Sequence, residues 1–168
     1  NWNTINLINA ATMFANATNY NNEGNNISFV VNNVTNMNSM FMNCKSLSVG
    51  FFKKWNTNNV ENMDNMFYNC ENFNGELNTI IENDSNNNIV TYWSVANVTS
   101  MKSMFYNAKK FNQSINNWDT SKIVNMEYMF SGAELFNQSI NTHTNASNKT
   151  YWNVANVTNM HGMFSNAL

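Results

Sequence analysis

Two thiols, Cys44 and Cys70, and two imidazoles, His143 and His161, are the groups in this sequence best suited to nucleophilic or metal chemistry. A thiol beside an imidazole makes an activated nucleophile, and four such groups within reach of one another can hold zinc. The spacing supports neither. No Cys or carboxylate stands at a metal-ligand interval from either histidine, so both read as surface residues. No Ser-His-Asp or Cys-His set, paired-carboxylate motif or glycine-rich phosphate loop is present. The sequence therefore offers no catalytic residue, metal ligand or cofactor site, and it reads as non-enzymatic. Its asparagines offer a different chemistry. Ten Asn-x-Ser/Thr sequons occur, little above what so Asn-rich a composition yields by chance. Location separates them: Asn83, Asn145 and Asn148 lie in the polar stretches 78–92 and 141–151, where a glycan would meet no packed neighbour, and these are the candidate N-glycosylation sites.

What positions these residues is a repeat. Met-Phe pairs at Met13-Phe14, Met40-Phe41, Met66-Phe67, Met104-Phe105, Met129-Phe130 and Met163-Phe164 are separated by 27, 26, 38, 25 and 34 residues. The long steps read as a unit of about 25 residues carrying insertions at about 78–92 and 141–151. Three residues before each Met stands Ala10, Met37, Met63, Met101, Met126 or Met160, and three before that Leu7, Val34, Val60, Val98, Ile123 or Val157. Five further back is an aromatic: Trp2, Phe29, Trp55, Trp93, Trp118, Trp152. The core ladder is accordingly assigned to Trp2, Phe14, Met37, Phe41, Trp55 and Phe67, continuing through Trp93, Phe105, Trp118, Phe130, Trp152 and Phe164. Six repeats fall at approximately 1–25, 26–51, 52–92, 93–117, 118–151 and 152–168. They are expected to form one body, a portion of a longer array, since neither end shows the polar cap that terminal repeats need.

Within a unit, Met37, Met40, Phe41 and Cys44 follow the i, i+3, i+4, i+7 spacing of one helix face. Asn or Ser precedes that face (Asn9, Asn36, Asn62, Ser100, Asn125, Asn159), as at a helix N-cap. Asn or Gly follows it (Asn16, Asn43, Asn69, Asn107, Gly132, Asn166), as at a left-handed helix stop. The spacing predicts a two-turn helix. Upstream, "WSVANV" (93–98) and "WNVANV" (152–157) alternate as a short strand does. The expected fold is an α/β repeat solenoid, a leucine-rich-repeat-like arc with one short strand and one short helix per coil. Strands stack about 4.8 Å apart and helices about 8–10 Å, which would curve the array. Asn6, Asn33, Asn59, Asn97 and Asn156 share one register before the Val position, with Lys122 the exception, and suggest an amide ladder bonding turn backbones between coils. Cys44 and Cys70 take the position held by Ala17, Ala108, Ala133 and Ala167. A disulfide needs Cα atoms within about 6.8 Å, whereas neighbouring helices would hold them about 9–10 Å apart, so two buried free thiols are expected.

Composition narrows the partners. The net charge is −2 and all eight basic residues are Lys, which leaves neither a basic footprint nor an arginine fork for nucleic acid. No run of 18 apolar residues is present to span a membrane. Asparagine fills 42 of the 168 positions, but with 43% apolar residues placed periodically the chain can build a core rather than stay disordered.

The stretch "FNQSINNWDTSKIVNMEYMFSGA" (111–133) and its cognates along the whole chain resemble the repeat of BspA-like leucine-rich-repeat surface proteins, including many mycoplasma-type lipoproteins. The resemblance implies an extracellular or surface-anchored protein with no enzymatic role. Two functions follow as expectations. One is an extracellular structural surface component, an array forming or decorating a fibre, coat or appendage through self-association or other surface components. The alternative is an adhesin or recognition module that binds a host protein or glycan through its inner face and insertion loops.

Overall fold

In the computed structural model, residues 2–21, 29–49 and 52–167 are described. The repeats stack on one another, yet the expected helices are absent: among the described residues the only helical segment is a 3-10 turn at Phe52–Lys54. The reason lies in the backbone. In each copy two residues four apart take left-handed φ, for example Ser39 (55°) with Asn43 (62°), Asn65 (55°) with Asn69 (57°), and Tyr128 (54°) with Gly132 (70°). A helix tolerates neither, because L residues there pay a steric cost and the N–H direction changes. The Asn/Gly position expected to stop a helix is left-handed, at Asn16, Asn43, Asn69, Asn107, Gly132 and Asn166. It closes a turn instead of a helix.

An account of the N–H groups in the second copy shows what replaces the helix. Met40, Met42 and Cys44 donate within the copy to the carbonyls three residues back, Met37, Ser39 and Phe41, at 3.2, 3.1 and 3.0 Å. Met37, Ser39, Phe41 and Asn43 donate out of the copy to Asn62, Asp64, Met66 and Tyr68 of the next, at 3.0, 2.8, 3.0 and 2.8 Å. The segment is a chain of overlapping β-turns, two of them with positive φ at the third residue as a type II turn requires. Alternate N–H groups close these turns and tie copies together. Overlapping turns bring i, i+3, i+4 and i+7 to one side much as a helix does, so Met37, Met40, Phe41 and Cys44 are all fully buried.

The residues expected as helix N-caps carry the parallel bridges instead: Asn9 to Asn36, Asn36 to Asn62, Asn62 to Ser100, Ser100 to Asn125 and Asn125 to Asn159. Their side chains still accept an N–H two residues on, as Asn36 does from Asn38 at 2.9 Å and Asn125 from Glu127 at 2.9 Å. Ser100 has no carboxamide to do this, and Asp64 of the preceding copy supplies the acceptor to Lys102 N–H at 2.8 Å.

Among the described residues the expected strand per coil is also absent. Trp93 and Trp152, which were to open it, have left-handed φ of 47° and 49°, and Val98 and Val157 close tight turns back to Val95 and Val154. The strands lie in the insertions. β1 (Ile80–Asn83) pairs antiparallel with β2 (Ile89–Tyr92), and β3 (His143–Thr144) with β4 (Thr150–Tyr151).

Between copies the Phe column repeats at 5.2, 5.8, 5.8, 5.6 and 5.6 Å from Phe14 through Phe41, Phe67, Phe105 and Phe130 to Phe164, with rings within 9° of parallel. A second column, Phe73, Phe111 and Phe136, runs beside it at 5.8 Å per step. Among the described residues no helical side stands apart at about 8–10 Å, so the wedge that was to bend the array into a leucine-rich-repeat-like arc has no basis.

Candidate functional site

The ladder residues occupy the centre of the stack. Met37, Phe41, Phe67, Trp93, Phe105, Trp118 and Phe130 are fully buried, Trp55 and Trp152 nearly so. Phe14 is half-buried, while Trp2 and Phe164, in the first and sixth copies, are 56% and 46% exposed. The indole N–H of Trp118 donates to Leu77 O at 2.8 Å and that of Trp152 to Ile115 O at 2.7 Å, whereas the buried indole N–H of Trp93 finds no partner among the described residues and is held by packing alone.

Polar ladders flank this core. Asn33, Asn59, Asn97 and Asn156 each donate a side-chain N–H to a backbone carbonyl of the preceding copy, respectively Ile5, Asn32, Asn58 and Ser121, at 2.7–2.8 Å. At the left-handed position Asn43 donates to Asn16 Oδ1 at 2.8 Å and Asn69 to Asn43 Oδ1 at 2.9 Å. Gly132 takes that position in the fifth copy, where a Cβ would lie 2.2 Å from Asn107 Oδ1. A column of alternating charge accompanies them: Lys45 pairs with Glu71 at 2.9 Å, and Lys109 lies between Glu71 at 3.9 Å and Glu134 at 3.6 Å. The Lys45 ammonium, hydrogen-bonded to Glu71, is the main cause holding that carboxyl below the usual range.

The two cysteines are free and buried. The premise that kept them apart, a helical spacing, does not hold. Each thiol instead donates to the Phe carbonyl of the preceding copy, Cys44 to Phe14 O at 3.1 Å and Cys70 to Phe41 O at 2.9 Å. Burial pushes the Cys44 thiol up to about 11 and the Cys70 thiol further still, which makes both poor nucleophiles. His143 stacks on Tyr151 at 5.3 Å, and His161 meets the edge of Tyr128 at 5.1 Å. Among the described residues no group of three or more His, Cys, Asp or Glu is placed to hold a metal ion. Two shallow depressions of about 270 and 280 Å³ are lined by Lys53 paired with Glu76 in one, and in the other by Lys109 paired with Glu71 and Glu134, with Lys110 beside them.

The insertions, read as polar loops, are two versions of one hairpin. Asp84 Oδ1 accepts Asn86 and Asn88 N–H at 2.9 and 2.8 Å, and Asn145 Oδ1 accepts Ser147 and Lys149 N–H at 3.0 Å each. Asn87 and Asn148 take left-handed φ at the two tips. Thr79 and Thr142 hydroxyls donate to Trp93 O and Trp152 O. Each hairpin is held by a lysine: Lys54 pairs with Glu82 and lies over Tyr92, and Lys149 pairs with Asp119 and lies over Tyr151. The Asp84 carboxyl is held below the usual range, chiefly by the Asn88 N–H. A matching Thr-Tyr-Trp at 91–93 and 150–152 was the sequence signal for this equivalence. Of the three sequon asparagines, Asn83 donates its amide to Asn87 at 2.9 Å and Asn145 is engaged by the turn and by Tyr151. Asn148, exposed at its hairpin tip, makes no side-chain hydrogen bond among the described residues.

Fold and site together define a turn-built repeat protein whose polar groups are used mainly between copies. The family model described as "Mycoplasma protein of unknown function, DUF285" matches residues 1–89 and 76–168, so the chain belongs to this Mycoplasma-type family. No curated protein and no solved structure matches it. Among the described residues no helix is long and apolar enough to cross a membrane.

Proposed function

We propose that this chain is a non-enzymatic structural component of an extracellular surface, in which stacked repeats form or decorate a fibre, coat or appendage. The observation that carries the reading is that the same backbone donors and the same Phe column join all six copies in one register, across insertions of different length. The position-specific residues of the repeat are thereby committed to stacking. Resemblance to BspA-like surface proteins supports the surface location. The test is electron microscopy of the protein from its native source: ordered polymers support a structural role, and separate molecules attached to a surface overturn it.

A second reading, recognition of a host protein or glycan, is favoured by the two equivalent hairpins, β1–β2 and β3–β4, in the insertions of the third and fifth copies. The first of them exposes Ile81 and Ile89 at 58% and 77%. Should native material be glycosylated, Asn148 is the first site, because its amide nitrogen is unengaged.

A further inference from the structure

Both cysteines of the chain occupy one register, in the second and third copies, where the other four copies carry Ala17, Ala108, Ala133 and Ala167. The residues on either side of them meet their counterparts across the copy boundary. Before them, Asn69 donates its side-chain amide to Asn43 Oδ1 at 2.9 Å, and Asn43 N–H donates to Tyr68 O at 2.8 Å. After them, Lys45 pairs with Glu71 at 2.9 Å, and Lys45 O accepts the Asn72 side-chain amide at 2.8 Å. Cys44 and Cys70 are therefore held side by side. Backbones joined in this way run about 4.8 Å apart, within the roughly 4.4–6.8 Å between Cα atoms that a disulfide spans. The two residues also share a carbonyl. Phe41 O accepts the Cys44 N–H at 3.0 Å and the Cys70 thiol at 2.9 Å, so the Cys70 sulfur faces the turn that Cys44 closes. The Cys44 sulfur faces the other way along the stack, onto Phe14 O at 3.1 Å.

We propose that Cys44 and Cys70 are a redox modification site, oxidised by a low-molecular-weight disulfide to a bond that staples the second copy to the third. One protein thiol loses its proton and attacks a sulfur of the small disulfide, which breaks that S–S bond and releases one small thiolate. The other protein thiol, deprotonated in turn, attacks the protein sulfur of the mixed disulfide and expels the second. Two cysteines are oxidised, one small disulfide is reduced to two thiols, and the two protons pass from the cysteines to the released thiolates. Both sulfurs are fully buried in the folded chain, so the small disulfide reaches them while the copies fold or open, when a thiol keeps its ordinary pKa of about 8.5. Closure turns Cys44 about χ1, from one staggered well to another, off Phe14 O and towards the third copy. Cys70 already faces the second copy. Formation outside the test tube rests on the extracellular, oxidising setting proposed above, whereas the pairing itself does not.

The test refolds the reduced 168-residue chain from guanidinium chloride in mixtures of reduced and oxidised glutathione, and repeats the equilibration with the denaturant kept in. Peptide mapping by mass spectrometry is expected to join Cys44 to Cys70 within one molecule, with a mass lower by two hydrogens. Closing the loop between them should raise the melting temperature by on the order of 10 °C. By linkage it should also make the bond at least about tenfold harder to reduce under native than under denaturing conditions. Cys44→Ala and Cys70→Ala, which restore the residue that the other copies carry, should each melt at a temperature that the glutathione mixture does not move. Free thiols or glutathione adducts at both sites after refolding, or a bond no harder to reduce in the native state, overturn the proposal. Reduced cysteines in protein from its native source, with the bond formed on refolding, would bear out the pairing and count against the extracellular setting alone.

Discussion

The left-handed turn at the middle of each copy can be tested by one residue changed two ways. Asn65 has φ of 55°, donates its N–H to Lys102 O at 2.8 Å, and accepts Tyr68 N–H at 3.0 Å. Its side chain makes no hydrogen bond, so truncation mainly reports the backbone. Were residues 63–70 helical, Asn65→Ala would be more stable than Asn65→Gly by about 0.8–1.0 kcal/mol. In the turn the order reverses. Holding Ala left-handed costs about 1–2 kcal/mol, partly offset by the ~0.4–1 kcal/mol by which Gly's looser unfolded chain favours Ala, so the Gly variant should be the more stable by about 1 kcal/mol. For a chain of this size that separates the melting temperatures by roughly 2–4 °C. Differential scanning calorimetry of the two variants reads the difference directly. A higher melting temperature for Asn65→Ala would refute the turn.

Three further outcomes follow. Gly132→Ala combines a left-handed φ of 70° with a Cβ 2.2 Å from Asn107 Oδ1, and should cost about 2–4 kcal/mol in urea unfolding; made in an Asn107→Gly background, which removes the clash, it should cost only the backbone part of about 1–2 kcal/mol. Phe105→Ala empties a site stacked between Phe67 and Phe130 and on Phe111 at 4.0 Å, and should lower stability by about 3–5 kcal/mol by the same assay. For the thiols the native state favours the neutral form, so their contribution is whole below the ordinary thiol pKa of about 8.5 and is lost as pH rises through about 11 for Cys44. The parent chain should therefore lose more stability between pH 8.5 and 11 than a Cys44→Ala/Cys70→Ala variant, measured by urea unfolding at each pH.

Sequence periodicity located the inward face, because burial at i, i+3, i+4 and i+7 is needed whatever element delivers it. Met37, Met40, Phe41 and Cys44 are buried, but overlapping turns share this period with a helix. The clue was the residue two before each Phe: Thr12, Ser39, Asn65, Ser103, Tyr128 and Gly162 include no strong helix former and all have positive φ. Types as varied as Tyr and Ser gave no hint of a common left-handed backbone. The amide register at Asn33, Asn59, Asn97 and Asn156 was legible, since a carboxamide that recurs at one register needs a repeated partner. Hairpins inside the insertions were not, because their strands are two to four residues long. Their equivalence shows in the closing turns, where Asp84 and Asn145 do the same work with different side chains.

Nuclear magnetic resonance can detect the partner of a single amide by scalar coupling across the hydrogen bond, and Phe67 is the amide to choose. Stacked turns place its N–H on Met104 O of the next copy at 2.9 Å, whereas a helix would place it on Met63, four residues back. Coupling from Phe67 nitrogen to the Met104 carbonyl carbon is the expected result. Coupling to Met63 would contradict the account.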